Sequence, residues 1–256
     1  MLTISNKAKA MPASPIRKLV PYAEAAKKRG VKVYHLNIGQ PDIASPKEAL
    51  EAVKNNTLKL IEYPHSAGIG TYRDGLAKYY QSININVTAS EINITTGGSE
   101  ALQIALAVTC NPDDEVIVME PFYTNYNALS LQNDVKLVPV STSIENGFAL
   151  PDVSEFEKYI TPRTKGIILC NPGNPTGSLY TKETIIKLGE IVKKHNLFLY
   201  SDEVYREFCY TDEPHFSAMH LEGLEQNVIL LDSVSKRYSL CGVRIGCIVS
   251  KNKDVM

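Results

Sequence analysis

The sequence predicts an α/β protein with a mainly parallel sheet that has helices on both faces. Short apolar runs rich in Ile, Val and Leu alternate along the chain with longer segments in which apolar residues recur at helical spacing. Several short runs, such as GIILC at 166–170, are apolar throughout, which is typical of strands buried on both faces. This alternation favours parallel strands, because each crossover helix returns the chain to the same end of the sheet.

The individual elements follow from these patterns in chain order. We predict strands at the apolar runs 33–39, 92–97, 115–120, 135–140, 165–172, 197–205, 228–233 and 246–250. We predict helices where apolar residues have helical spacing, at 46–61, 71–82, 98–110, 122–133 and 181–196. The last helix has a clear start, with Thr181 as N-cap and Glu183 in the first turn. The proline-containing first thirty residues are expected to form an arm or an early helix outside the sheet.

The composition argues against several classes of protein. The 27 basic and 28 acidic residues leave a net charge of −1, so we expect no binding to nucleic acids or membrane surfaces. We expect no membrane span and no signal peptide, because no apolar run is long enough and the N-terminus lacks an apolar segment. The five cysteines include no CxxC pair, which indicates reduced thiols and a cytoplasmic protein. The histidines show no metal-binding spacing, so no metal site is expected.

Polar residues cluster where predicted strands end, and open α/β sheets bind ligands beyond the carboxyl ends of their strands. In TTGGSEAL (95–102), Gly97 and Gly98 permit a tight turn. Backbone N–H groups at the start of the helix, with the Ser99 hydroxyl, could hold a phosphate there. The alternative is an ordinary strand-to-helix turn that Ser99 caps.

Two further segments follow the next buried strands. In NPGNPTG (171–177), either the loop is structural or the Asn174 amide faces a ligand oxygen. In SDEVY (201–205), a strand ends in two carboxylates, which are costly to bury without a partner. They are either a surface acidic pair, or Asp202 faces a cationic ring nitrogen with the Tyr205 hydroxyl nearby.

The fourth segment is DSVSKRYSLCGVRIG (232–246), which follows the apolar run NVILL. It contains Ser233, Ser235, Lys236 and Arg244, and it is either a solvated loop or an anion site with an amine. Arginine has a planar fork suited to phosphate, and a partly desolvated lysine can form a Schiff base. Together the four segments supply a phosphate site, a carboxylate, a phenol and an amine, which pyridoxal phosphate requires of its protein.

These motifs, in this order, resemble the class I/II pyridoxal-phosphate aminotransferases of the aspartate aminotransferase fold type I. The resemblance runs from about MPASPIRKL to the last residue. It is carried by LNIGQPD (36–42), YPHSAGIGTYRDGLA (63–77), GGSEAL (97–102), NPGNPTG, SDEVY and SVSKRYSLCGVRIG (233–246).

The resemblance also implies a domain organisation. Residues 46–256 would form the large pyridoxal-phosphate-binding domain, and 1–45 an arm with the start of the small-domain elements. The chain ends at KNKDVM, just after a predicted strand, so we expect a fragment that lacks the C-terminal small domain. The arginine that binds the substrate α-carboxylate is expected in that missing domain.

The resemblance implies a catalytic set of Lys236, Asp202 and Tyr205. Lys236 would form the Schiff base with pyridoxal 5'-phosphate and move the proton at the substrate Cα. Asp202 would pair with the pyridinium nitrogen. Tyr205 and Asn174 would hydrogen-bond the phenolic oxygen of the ring.

The remaining implied contacts concern the phosphate, the ring face and the substrate. Tyr123 would stack on the ring, and Tyr63 would reach the phosphate of the neighbouring subunit in a homodimer. For both tyrosines the alternative is ordinary packing. Gly39 would lie by the substrate carboxylate, with Asn174 also near the substrate. The phosphate itself would be held by Gly98, Ser99, Ser233 and Arg244.

The expected function is transfer of an amino group between an amino acid and a 2-oxo acid by a ping-pong mechanism. Aspartate, alanine or aromatic amino acids are the expected substrates. Two alternatives stay open at this point, a C–S lyase on the same fold and a non-catalytic, truncated aminotransferase-like protein. A regulator with an added DNA-binding module is disfavoured, because too few residues precede the region of resemblance.

Overall fold

The computed structural model describes residues 1–212 and 214–256 of the chain. Within these residues the strands are β1 Ile92–Thr95, β2 Glu115–Glu120, β3 Lys136–Ser141, β4 Thr164–Cys170, β5 Phe198–Asp202, β6 Val228–Ser233 and β7 Gly246–Val249. The α-helices are α1 Asn6–Ala10, α2 Val20–Lys28, α3 Lys47–Lys54, α4 Gly70–Ser82, α5 Gly98–Thr109, α6 Asn125–Gln132, α7 Val153–Phe156, α8 Lys182–His195 and α9 Val234–Arg237. Short 3-10 turns lie at Arg17–Leu19, Ala89–Glu91, Ile144–Asn146, Glu157–Tyr159, Ala218–His220 and Cys241–Val243.

All the strands of the described residues belong to one sheet, in the order β1-β7-β6-β5-β4-β2-β3. The strands from β2 to β6 are parallel, whereas β7 is antiparallel to both of its neighbours. The predicted mainly parallel α/β fold is therefore confirmed. Because β4, β5 and β6 are parallel neighbours, the loops that follow them meet at one edge of the sheet.

Helices cover both faces of the sheet. Along β4, Ile167 and Leu169 pack in a cluster with residues of α8, whereas Ile168 packs in a second cluster with residues of α5. Successive side chains of a strand point to opposite faces, so an uninterrupted apolar run serves two cores. A third cluster places Tyr80 of α4 against β6 and β7.

Two predicted elements differ most from the structure, and the strand predicted at 197–205 and the helix predicted at 122–133 are shorter than predicted. Residues 33–39 form no strand, and Tyr34 and Leu36 there are 69% and 95% exposed. A strand needs a hydrogen-bonded neighbour, and none pairs with this segment in the described chain. The helix predicted at 46–61 ends at Lys54, where poor helix formers follow, and the apolar residues beyond it are exposed.

Other local predictions are confirmed. Thr181 caps α8, because its Oγ1 accepts a hydrogen bond from the backbone N–H of Thr184 at 3.3 Å. Helices α1 and α2 lie in the first thirty residues and outside the sheet, as expected. All five cysteines are free, although only Cys247 is fully buried. The division into domains at residue 45 stays a prediction.

Among the described residues, no helix is long and apolar enough to cross a membrane. No group of three or more His, Cys, Asp or Glu side chains in that part of the chain could hold a metal ion.

Candidate active site

Polar residues from the loops after β4, β5 and β6 meet at one edge of the sheet. The Asn174 side-chain amide donates a hydrogen bond to the Tyr205 hydroxyl at 3.2 Å. The Lys236 ammonium lies 5.8 Å from the centre of the Tyr205 ring. It also donates a hydrogen bond to the carbonyl oxygen of Gly39 at 2.6 Å. The structure therefore brings together four predicted site residues that are far apart in sequence.

Asp202 lies at the end of β5, beside the last residue of β4 in the parallel register. Its Oδ2 accepts a hydrogen bond from the Tyr126 hydroxyl at 2.6 Å, and the Val204 N–H lies 3.4 Å from its Oδ1. Burial raises the pKa of Asp202 to about 6, while the Tyr126 hydrogen bond opposes the rise. A cation placed beside this carboxylate would favour its ionised form.

The alternative of a surface acidic pair at the end of β5 is wrong. Glu203 is only 1% exposed and has its own set of hydrogen-bond donors. Its Oε1 accepts hydrogen bonds from the hydroxyls of Ser201 and Ser217 at 2.9 and 2.8 Å and from the Ala218 N–H at 3.0 Å. Oε1 of this buried carboxylate is therefore taken up by structural contacts, and Oε2 lies 3.4 Å from Nη2 of Arg206.

Glycines allow separate segments of the backbone and an arginine side chain to approach each other at the start of α5. Gly97 has a φ of +85°, and a Cβ there would lie 2.5 Å from Nη2 of Arg244. A Cβ on Gly246 would lie 2.5 Å from the Gly97 carbonyl carbon. The Arg244 guanidinium therefore lies directly over the turn that begins α5. This combination of a guanidinium with free helix N–H groups suits a phosphate.

Ser99 and Ser233 take different places around this turn. Gly97 is the N-cap of α5, so Ser99 lies in the first helical turn and the alternative of a Ser99 cap is wrong. Ser233 lies across from Gly98, where a Cβ on Gly98 would be 3.9 Å from the Ser233 Cβ. Gly98, Ser99, Ser233 and Arg244 therefore surround the start of α5, and we name this group the glycine-turn cradle.

The one-turn helix α9 presents Lys236. Ser233 caps this helix, because its Oγ accepts a hydrogen bond from the Ser235 N–H at 3.3 Å. Arg244 returns to the same edge through a left-handed residue with φ of +56°, and its Nη1 donates to the Cys241 carbonyl at 2.9 Å. The alternative of a solvated loop at 232–246 is wrong for its first half, since Asp232, Ser233 and Ser235 are buried.

The two tyrosines that are predicted to contact the cofactor lie in different surroundings. Tyr123 lies edge-on to Tyr126, with ring centres 5.6 Å apart, and its hydroxyl accepts a hydrogen bond from the Asn125 amide at 2.9 Å. Burial raises the pKa of Tyr123. The charge of Asp202 raises this pKa further, whereas the charge of Arg244 lowers it. Tyr63 is fully exposed, so the single chain does not bring it to the other site residues.

The family model described as aminotransferase class I and II matches residues 31–256. The chain belongs to this family. It is 32% identical over 248 residues to an aspartate/prephenate aminotransferase of Thermus thermophilus, covering 96% of this chain and 63% of the relative. It is 33% identical over 231 residues to a glutamate-pyruvate aminotransferase of Escherichia coli, covering 89% of this chain and 56% of the relative.

Solved structures agree with this membership of the aminotransferase family. A Thermus thermophilus aspartate aminotransferase double mutant superposes with a TM-score of 0.90 at 30% identity, covering all of this chain and 66% of that one. An aspartate aminotransferase from Thermotoga maritima gives 0.92 at 29% identity, covering 98% and 67%. The chain therefore spans between half and two thirds of the length of the curated relatives named above.

Several buried residues of this aminotransferase-family chain lie around the site and were not predicted from sequence. Tyr126 was missed, although it follows Tyr123 by three residues and helical spacing would place both on one side. Asp232 was missed although it is a carboxylate at the end of a buried strand, which is the signal that identified Asp202. Arg206 and Arg237 carry no sequence signal of their own, because only their buried contacts distinguish them from surface arginines.

Proposed function

We propose that the protein is a pyridoxal-phosphate-dependent aminotransferase that moves an amino group between an amino acid and a 2-oxo acid. One observation carries the proposal. The Lys236 amine, the Asp202 carboxylate and the glycine-turn cradle lie at one edge of the sheet, in a chain of the aminotransferase family.

The residues present fit the functional groups of pyridoxal 5'-phosphate. The glycine-turn cradle would hold the phosphate. Because Gly97 has no Cβ, the Arg244 guanidinium can lie against the turn that begins α5, next to the helix N–H groups. Asp202 would face the ring nitrogen, which suits a buried carboxylate whose pKa of about 6 would fall beside a cation. The bonded pair of Asn174 and Tyr205 would supply two hydrogen-bond donors at one point for the phenolic oxygen.

When bound, this cofactor supplies an electron sink for the charge that develops at the substrate Cα when its proton is removed. Lys236 would hold the cofactor's aldehyde carbon. Its Nζ, once displaced by the substrate amine, would take the Cα proton as a base and return it as an acid. Tyr123 would cover the ring face, since its ring is already fixed edge-on to Tyr126.

We further propose aspartate, alanine or an aromatic amino acid as the donor, with a ping-pong exchange of two substrates. The names of the relatives support this class, since they include aspartate/prephenate and glutamate-pyruvate aminotransferases. Gly39 would lie at the substrate carboxylate, because its carbonyl is already bonded to Lys236. A homodimer, in which Tyr63 reaches the second site, and a cytoplasmic location complete the proposal.

The test compares the absorbance spectrum of the protein after addition of pyridoxal phosphate with that of Lys236→Ala. We expect a Schiff-base band near the visible range that the variant lacks. Lys187→Ala, which changes an exposed lysine of α8, is the matched control and should keep the band. A band that survives in Lys236→Ala would contradict the assignment of Lys236.

A second assay separates amino transfer from the lyase alternative. The loaded protein is given aspartate, alanine, tyrosine or cysteine, each with and without 2-oxoglutarate. Amino transfer requires the second substrate and yields glutamate and the matching oxo acid. Release of ammonia and sulfide from cysteine without 2-oxoglutarate would instead identify a lyase.

A further inference from the structure

A second group of polar side chains lies directly behind the candidate site. Glu203, Arg206 and Asp232 are 1%, 5% and 1% exposed, and the Arg237 side chain is 5% exposed. Each of these residues is next in the chain to a proposed site residue. In the same order, these neighbours are Asp202, Tyr205, Ser233 and Lys236. The site residues and this buried ionic group therefore share the same two backbone segments.

Asp232 is the centre of the buried ionic group. Its Oδ2 accepts hydrogen bonds from the Tyr80 hydroxyl at 2.8 Å and from Nη2 of Arg237. Nη2 of Arg206 lies 3.4 Å from the same oxygen and 3.4 Å from Oε2 of Glu203. The other carboxylate oxygen of Asp232, Oδ1, accepts a hydrogen bond from the Ser233 N–H at 2.7 Å. Asp232 thus connects α4, the loop after β5 and the start of α9.

The Asp232–Arg237 ion pair spans the whole of α9. Asp232 precedes the Ser233 N-cap, and Arg237 is the last residue of this one-turn helix. A single isolated turn does not hold its own conformation, because nucleation of a helix is unfavourable. Since Lys236 lies within the spanned turn, the ion pair limits how the lysine backbone can be oriented.

The Arg237 side chain is itself held in place. Its guanidinium lies 4.4 Å from the centre of the Tyr79 ring and 3.9 Å from the Glu207 carboxylate. Burial of two opposite charges contributes little net stability, because desolvation offsets most of their attraction. Such a pair does favour one geometry over alternatives that would leave either charge unpaired. This selection of geometry is useful next to a lysine that must reach a single carbon atom.

We propose that the Asp232–Arg237 ion pair is a positioning device that orients Lys236 for bonding to the aldehyde of the cofactor. The inference rests on the proposed function. In the bonding step the Lys236 nitrogen attacks the aldehyde carbon, a C=N bond forms, and the carbonyl oxygen leaves as water. The phosphate and ring contacts do not depend on this step. The ion pair should therefore affect formation of the covalent bond more than non-covalent binding of the cofactor.

The test measures the affinity of the protein for two forms of the cofactor. Pyridoxal 5'-phosphate can bond Lys236, whereas pyridoxamine 5'-phosphate has an amine in place of the aldehyde and cannot. In Arg237→Met we expect the affinity for the aldehyde form to fall about tenfold, since small displacements of a reacting group are costly. The affinity for the amine form should change less than about twofold.

Two further variants and a control make the measurement specific. Arg237→Lys keeps the charge without the planar fork and should recover part of the lost affinity. Asp232→Asn keeps the shape but not the charge, and should change the two affinities in the same way as Arg237→Met. Arg163→Met, which removes an exposed arginine, should change neither affinity. Thermal unfolding of each variant shows whether it is folded, and Arg237→Lys replaces Arg237→Met in the comparison if the latter is not.

The outcomes are distinct from those that test the proposed function. An equal loss of both affinities, or no change in either, would overturn the positioning role of the ion pair. If the unaltered protein bound neither form, the proposed function would fail and this inference with it. A selective loss of the aldehyde form with partial recovery in Arg237→Lys would establish the role.

Discussion

Nζ of Lys236 donates a hydrogen bond to the carbonyl oxygen of Gly39, 2.6 Å away and 197 positions earlier in the chain. The Ser239 hydroxyl strengthens the same junction by donating to the Ile43 carbonyl at 2.7 Å, and the Ser45 hydroxyl donates to the Ser239 carbonyl at 2.7 Å. The end of the segment that the sequence wrongly predicts as a strand, together with the residues that follow it up to Ser45, is therefore attached to the candidate lysine and to Ser239.

Replacement of Lys236 by Met should loosen residues 37–43. The substitution keeps most of the apolar length of the side chain but removes the donor to Gly39. A solvent-exposed hydrogen bond of this kind is worth about 1 kcal/mol, so amide hydrogens in the segment should exchange about fivefold faster. Mass-spectrometric hydrogen exchange measures this, with Lys187→Met as control. Unchanged exchange in Lys236→Met would show that the two serine bonds alone hold the segment.

Tyr126→Phe should raise the pKa of Asp202 above its value of about 6, because it removes a hydrogen bond to the ionised carboxylate. A carboxyl whose pKa is raised by folding stabilises the fold below its unfolded pKa of 3.8, and this stability is lost as the pH rises through 6. The loss in the unaltered protein is at most about 3 kcal/mol. In Tyr126→Phe the loss should extend to higher pH.

Urea unfolding between pH 4 and 7 tests this dependence on Asp202. The free energy of unfolding of Asp202→Asn, whose side chain cannot ionise, is subtracted at each pH to remove the contribution of other groups. The difference between the unaltered protein and Asp202→Asn should show the loss around pH 4 to 6. A difference that does not vary with pH would contradict the raised pKa of Asp202.

Gly97→Ala should weaken the binding of a phosphate group at the glycine-turn cradle. A methyl group there would displace the Arg244 guanidinium, because the new Cβ would lie 2.5 Å from its Nη2. We expect pyridoxal phosphate to bind at least about tenfold more weakly, since a charged hydrogen-bond donor is lost. Competition by inorganic phosphate should weaken in parallel.

Gly147→Ala is the matched control for backbone strain. Gly147 also has a positive φ, +66°, but nothing lies within 4 Å of a Cβ there. Both variants should also lose stability from backbone strain, about 1 to 2 kcal/mol in the left-handed helical region at Gly147. The loss should be up to about 3 kcal/mol at Gly97, whose ψ of 170° lies in a region that only glycine adopts readily. Only Gly97→Ala should lose phosphate affinity, and equal affinities in the two variants would place the phosphate elsewhere.

Mixing Tyr63→Ala with Lys236→Ala should restore activity if two subunits share each site. Tyr63 is fully exposed in the single chain, and an exposed aromatic residue next to a glycine-rich segment suits a contact with a partner. After unfolding and refolding together, half of the dimers would be mixed, and each would contain one complete site. The recovered activity should approach about a quarter of that of the unaltered protein. No recovery would place Tyr63 in its own subunit's site or outside both.

Much of the fold follows from local pattern. The apolar runs at 115–120 and 228–233 became strands with the predicted ends, and α8 begins at its predicted cap. The segments 33–39 and 55–61 were misread because an apolar pattern does not specify whether a partner is present. Most of their large apolar side chains are exposed, so packing does not stabilise the local preference.

The sequence by itself determined the fold class, the order of the site segments and the chemical identity of Lys236, Asp202 and Arg244. Only the tertiary structure decided which residues surround them. The Tyr126 hydroxyl reaches Asp202 across 76 positions. Asp232 is contacted by Arg206 from the loop after β5 and by Tyr80 from α4. The physical reason is that burial and direction of side chains arise from packing between distant elements. A carboxylate or an arginine at a strand end looks the same in sequence whether it faces water, a ligand or a buried counter-charge.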